Sequence, residues 1–168
     1  KQPEWVARWL DQGKPAELIA LQRSPALKNE LPRVIRPDLL VTEHGLSVTE
    51  LDSVPGGIGL TGWLNQTYSA MGAEVLVGAD GMLLGFASIF GDAPTVHLVV
   101  SEEAATYRPE MIWMANQLGS SRFKVQDAKF TAFADGDAVY RFFELFDLAN
   151  VPNARVILDL AAAKRIRL

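Results

Sequence analysis

The sequence predicts an α/β fold: an antiparallel hairpin with helices, followed by a parallel sheet with flanking helices. Three observations carry that expectation. Two strand-like runs, residues 34–41 and 46–52, are joined by the polar turn Glu43-His44-Gly45, and a three-residue loop ending in a left-handed Gly is a common hairpin connection. Residues 95–100 (TVHLVV) form a nearly continuous apolar run, the pattern of a strand buried on both faces. From there to the end, strand-like and helix-like segments alternate, which favours parallel pairing.

The elements follow in chain order. Residues 3–13 (PEWVARWLDQG) read as a helix, with Pro3 in its first turn, Trp5, Val6, Trp9 and Leu10 on one face, and Gly13 as C-cap. A second helix runs from about residue 15 to 22 and ends before Ser24-Pro25. Pro37 inside the first hairpin strand marks an edge or a bulge, because proline cannot donate to a ladder. Beyond the glycine-rich turn at Pro55-Gly56-Gly57, residues 60–71 read as a helix closed by Gly72. Residues 80–90 read as another, with Asp80 as N-cap and Met82, Leu83, Phe86 and Ile89 as its apolar face. After the 95–100 strand come a helix at 107–118, strands at 124–130 and 138–145, and a last helix at 150–163 entered through Pro152. This second half has a Rossmann-like pattern, and the turn Gly91-Asp92-Ala93-Pro94 divides the chain into residues 1–92 and 93–168.

The hairpin carries the candidate site. With Glu43-His44-Gly45 as the turn, Thr42 faces Leu46, Asp38 faces Glu50 and Arg36 faces Asp52. Period-2 alternation then places all four charged side chains on one face. A two-residue His44-Gly45 turn would slip the register by one and separate Asp38 from Glu50. Three carboxylates on one surface repel each other unless a cation sits among them, and hard oxygen ligands of this kind suit Mg²⁺. The same residues read equally as a solvated strand face with an Arg–Asp pair. Gly56 and Gly57 open a helix, where free N–H groups and the positive dipole end favour an anion. Those glycines can also serve only a tight strand-to-helix turn.

At Arg36-x-Asp38, Glu50-x-Asp52 and Pro55-Gly56-Gly57 the chain resembles the ATP-grasp ligases, specifically the circularly permuted branch that includes glutathionylspermidine synthase. The resemblance implies Mg²⁺ and ATP as cofactors, with Asp38, Glu50 and Asp52 as metal ligands. Arg36 would be the catalytic contact to phosphate or acyl phosphate, and Arg36, Gly56 and Gly57 the nucleotide-binding residues. Asp52 stands where that pattern has Asn. More loosely, residues 95–101, Tyr107-Arg108-Pro109-Glu110 and the 138–142 run resemble the Rossmann-like domain that accompanies the grasp core. The implied reaction joins a small-molecule carboxylate to an amine. The remainder of a longer parent chain would supply the adenine clasp, so that these 168 residues alone are not expected to turn over.

Composition sets outer bounds. Hydrophobic residues at 49% and charged residues at 21% allow an ordinary packed core. A net charge of −4 without a basic run argues against nucleic acid as partner. No cysteine is present, so disulfides, thiolate metal sites and a cysteine nucleophile are excluded, which fits a reducing cytoplasm. No apolar run reaches the ~18 residues of a membrane span. The start, KQPEWVARWL, has neither an apolar signal core nor an initiator Met, as expected of a piece of a longer protein. His97 lies inside the apolar 95–100 run and reads as a core histidine. Ser101 ends that run without a nucleophile-elbow context. Arg141 reads as a buried-stem arginine or a contact to a substrate carboxylate.

Overall fold

The computed structural model describes residues 4–27 and 31–168. The chain divides into two compact units, Lys1–Leu31 and Pro32–Leu168. The first holds two short helices, α1 (Glu4–Leu10) and α2 (Ala16–Gln22). The expected helix at 3–13 is thus confined to its middle. Pro3 lies outside the described residues, and Gly13 sits beyond the helix in a turn with φ +78°. Leu18 is buried within this unit, whereas Trp5 and Trp9 are exposed.

The second unit is mixed α/β. A two-stranded antiparallel hairpin, β1 (Arg36–Thr42) and β2 (Gly45–Asp52), leads through the glycine turn into α3 (Ile58–Ala70) and α4 (Gly81–Ser88). A three-stranded parallel sheet follows, made of β3 (Val96–Val100), β4 (Phe123–Asp127) and β5 (Ala138–Phe142) in the order β4-β3-β5. Helix α5 (Arg108–Leu118), entered through a 3₁₀ turn at Ala105–Tyr107, links β3 to β4. A second 3₁₀ segment, Leu145–Asn150, precedes α6 (Ala154–Ala162). Both of the last two expected elements are therefore shorter than their apolar runs. The third strand ends at Phe142 and the last helix starts at Ala154, because the 3₁₀ segment takes the residues between them.

Side-chain alternation on the sheet builds two cores. Val96, Leu98 and Val100 of β3 face Phe123, Ala138, Tyr140 and Phe142, and they pack under Leu83, Phe86, Met111 and Met114 of α4 and α5. Val99 and Val139 face the other way, under Ala154, Ile157 and Ala161 of α6. β3 is buried along its whole length, as its apolar run requires. His97 points into the second core, stacked on Phe130 at 5.1 Å. Its polarity is met there: Nε2 lies 3.0 Å from the buried Asp137 carboxylate, and the Gln126 side-chain amide lies 3.3 Å from Nδ1. With Gln126 donating to Nδ1, the ring proton sits on Nε2 toward Asp137.

The contact division falls between Leu31 and Pro32 rather than at the Gly91–Pro94 turn. Val54, Ile58, Leu83, Phe86 and Phe90, all before that turn, share one core with the parallel sheet after it. A turn signal marks a change of chain direction. Whether a core is interrupted there depends on where the flanking helices pack. Asp80 does occupy the N-cap position of α4, but its side chain makes no cap; it accepts a hydrogen bond from Gln66 instead.

Candidate functional site

The hairpin pairs Arg36 with Asp52 and Asp38 with Glu50, the register expected from the sequence, but it reaches that register by another route. The turn has two residues, Glu43 and His44, with Thr42 opposite Gly45. That turn alone would place Asp38 opposite Thr49. A bulge at Thr49, between Leu39↔Val48 and Asp38↔Glu50, inserts one residue and restores the pairing. Thr49 donates its hydroxyl proton to the Asp38 carbonyl at 3.1 Å across the bulge. A turn one residue shorter and a strand one residue longer cancel.

Alternation from this register makes the hairpin two-faced. One face carries Arg36, Asp38, Glu50 and Asp52, with Leu40, Thr42 and Ser47 further along it; the other carries Pro37, Leu39, Val41, Leu46, Val48 and Leu51. The aliphatic face is open, with exposures from 48% at Leu39 to 86% at Val41. On the charged face Arg36 is the hub. Its Nε lies 3.4 Å from Asp38 Oδ1, its Nη2 3.4 Å from Asp52 Oδ2, and its Nη1 donates to the Gly56 carbonyl at 3.3 Å. Asp52 also accepts the Val54 amide at 2.8 Å, closing the turn that leaves β2.

Hence the structure brings Arg36, Asp38, Glu50, Asp52 and Gly56 together at one end of the hairpin. The charges are partly answered from within, because Arg36 lies between Asp38 and Asp52. Among the described residues no three His, Asp or Glu side chains form a group that could hold a metal ion. The donor chemistry of Asp38 and Glu50, facing each other across the ladder, still suits Mg²⁺, which takes one or two protein carboxylates and fills its other positions with water or phosphate oxygen. Asp52 is the least available of the three carboxylates, since both of its oxygens are engaged, Oδ1 by the Val54 amide and Oδ2 by Arg36, whereas Asp38 meets Arg36 through Oδ1.

Gly57 is the N-cap of α3 with φ +83°, a left-handed conformation that glycine adopts without strain. Two of the amides at this helix end already have an acceptor within the chain. Glu110, in the first turn of α5, accepts Gly57 N–H at 2.8 Å through one carboxylate oxygen and Leu60 N–H at 3.1 Å through the other. The expected anion position at this helix end is filled by the chain's own carboxylate. Sequence reasoning missed Glu110 because the groups it binds lie 50 and 53 residues away, and no local pattern records such a pairing. α3 also approaches α5 closely. A Cβ at Gly59 would stand 2.6 Å from the Glu110 carbonyl, and one at Gly56 would overlap the Tyr107 ring.

Tyr140, on β5 beneath this corner, is 8% exposed, and its hydroxyl has no hydrogen-bond partner. Burial pushes its phenol well above the ordinary value, and the negative charges of Asp52 and Glu110 add to the rise against the opposing Arg141. Arg141 donates to the Phe143 carbonyl at 2.7 Å, and burial lowers its affinity for a proton. At the carboxyl ends of β3 and β4, where open α/β sheets bind ligands, Arg108 bridges the Val100 and Gln126 carbonyls. Ser101 there is buried and accepts the Ala104 amide at 3.3 Å, while His97 is held in the opposite core, so no Ser–His pair forms. Comparison with protein-family models, with curated proteins and with solved structures returns no match.

Proposed function

We propose that the charged hairpin face is the phosphate-facing element of an ATP-dependent carboxylate–amine ligase of ATP-grasp type, with the parallel sheet as its Rossmann-like companion. The observation that carries this reading is the pairing of Asp38 with Glu50, flanked by Arg36 with Asp52, on one side of a hairpin. Asp38 and Glu50 would hold Mg²⁺, whose contribution is to neutralise charge on phosphate oxygens. Arg36, half exposed beside them, offers a guanidinium suited to bidentate contact with phosphate or carboxylate. The open aliphatic face behind the site is what a strand pair presents when a further layer of a longer chain covers it. The adenine clasp and the substrate pockets belong to that remainder, and the cysteine-free composition suits a reducing cytoplasm.

A second reading, a non-catalytic binding or interaction domain, is favoured by one observation. Arg36 already neutralises Asp38 and Asp52, so the cluster does not require a metal. Mn²⁺ as a paramagnetic probe separates the two. In the ligase reading Mn²⁺ broadens the backbone resonances of Asp38 and Glu50 in this chain, and Asp38→Asn with Glu50→Gln abolishes the effect. Uniform, site-independent broadening would remove the ligase reading and leave the interaction domain.

A further inference from the structure

One peptide plane joins the charged hairpin to the body of the second unit. The Gly56 carbonyl accepts Arg36 Nη1 at 3.3 Å, and the Gly57 N–H, which belongs to the same peptide unit, donates to Glu110 Oε1 at 2.8 Å. A peptide unit is planar, with its C=O and N–H pointing in opposite directions. Fixing the direction of one therefore fixes the other. The two charges also have the signs that the peptide dipole prefers, cation on oxygen and anion on N–H.

We propose that Glu110 is the positioning residue of the hairpin site: by holding the Gly57 and Leu60 amides it orients the Gly56 carbonyl, and so sets the Arg36 guanidinium between Asp38 and Asp52. The significance for phosphate contact rests on the reading above, while the coupling itself rests only on the geometry. Three features give Glu110 the rigidity this role needs. Its helix is anchored in the sheet by the fully buried Met111 and Met114, and Arg108 ties its first turn to the ends of β3 and β4. Both of its oxygens are engaged by amides of a helix N-terminus, and charge-assisted bonds of that kind are among the stronger ones. Gly56 and Gly59 sit so close to Tyr107 and to the Glu110 backbone that the turn has no room to slide toward α5. An N-cap side chain at position 57 could accept the Leu60 amide locally, while the Gly57 amide would need an acceptor side chain at position 60. Because Gly57 has none, the cap comes from α5 and the hairpin becomes coupled to the sheet.

The test is nuclear magnetic resonance of the whole chain carrying Glu110→Gln, which keeps the side-chain length but removes the charge and replaces one acceptor by a donor. Losing charge-assisted bonds should speed Gly57 and Leu60 amide exchange by roughly tenfold or more. The Arg36 Nε–H resonance should move toward that of a free arginine, while Val96–Val100 keep their protection. Faster Gly57 and Leu60 exchange with an unmoved Arg36 resonance would reduce Glu110 to a helix cap and overturn the proposal. If Glu110→Gln does not fold, Arg36→Gln decides from the other side: the Gly57 amide resonance should shift, and an unchanged one overturns the coupling. Neither readout involves metal or nucleotide, so failure of the cation reading leaves it standing.

Discussion

The parallel sheet and the hairpin bury their strands in opposite ways. β3 has 0% exposure at Val96, Leu98, Val99 and Val100, because α4 and α5 cover one face and α6 the other. β1 is exposed at every position, and β2 at every position but Asp52. Both regions are rich in Leu and Val, so composition does not distinguish them; the difference is whether helices of the same chain close over the strand. A lone two-stranded hairpin is at best marginal in water, and this one is fixed to its unit mainly at one end, through the Arg36–Gly56 and Asp52–Val54 hydrogen bonds and, just before β1, the bond from Arg33 to the Ile89 carbonyl. Stability is thus concentrated in the sheet, and the candidate chemistry sits on the part that contributes least to it.

The sharpest way to break that contrast is to truncate one aliphatic side chain to alanine in each region. Leu98→Ala deletes a side chain with no exposure at the centre of β3 and should cost about 2–5 kcal/mol in urea unfolding. Val41→Ala on the hairpin, at 86% exposure, should stay within about 0.5 kcal/mol. Comparable losses at the two positions would mean that the hairpin's aliphatic face is buried in solution, and the contrast would fail.

What could be read from the sequence follows the same division. β3 was legible because a strand buried on both faces writes an unbroken apolar run, and α5 because Pro109 and Gly119 bracket it. The hairpin register was anticipated through a turn that the structure does not use. Its correctness depends on the Thr49 bulge, whose trace in the sequence is the break in apolar alternation from Leu46 and Val48 to Leu51. The facing of Arg36 and Asp52 follows from that register, and the structure adds a second ion pair from Arg36 to Asp38 on the same strand. Glu110 was not legible, since its meeting with Gly57 exists only once α3 and α5 have packed. Nor was the shared core across Gly91–Pro94, because the punctuation of the chain carries no information about which helices lie over which strand.

Tyr140 sharpens the comparison at the seam between the two regions. Its buried hydroxyl makes no hydrogen bond, so Tyr140→Phe removes an unsatisfied polar group and should change stability at neutral pH by less than about 1 kcal/mol, with a gain favoured over a loss. The pH dependence has a definite sign. The folded phenol holds its proton above the ordinary value of 10.0, so as pH rises past that value the unfolded chain releases the proton first. This contribution to stability is complete below pH 10 and is lost progressively above it. Denaturant midpoints measured from pH 8 upward should fall less steeply for Tyr140→Phe than for the wild type. Identical alkaline slopes would place the phenol in solvent and detach it from the Asp52–Glu110 corner.

The smallest expected effect is at Glu50. It lies on the exposed face opposite Asp38, while the ion pairs of that face run from Arg36 to Asp38 and Asp52. Glu50→Gln keeps size and strand pairing and removes one negative charge from a surface that carries three carboxylates and one guanidinium. Without metal the change should be within about 0.5 kcal/mol, and toward greater stability if toward either, since like charges facing across a ladder repel. The same substitution is where the hairpin's function and stability should part. A site for a cation loses a ligand at Glu50 and its Mn²⁺ broadening falls, although the fold is untouched. A merely solvated face shows neither change. Paired measurements of thermal midpoint and Mn²⁺ broadening on wild type and Glu50→Gln therefore decide whether the exposure of this hairpin serves chemistry, and a large loss of stability with unchanged broadening would assign Glu50 to packing and contradict the division between sheet and hairpin drawn above.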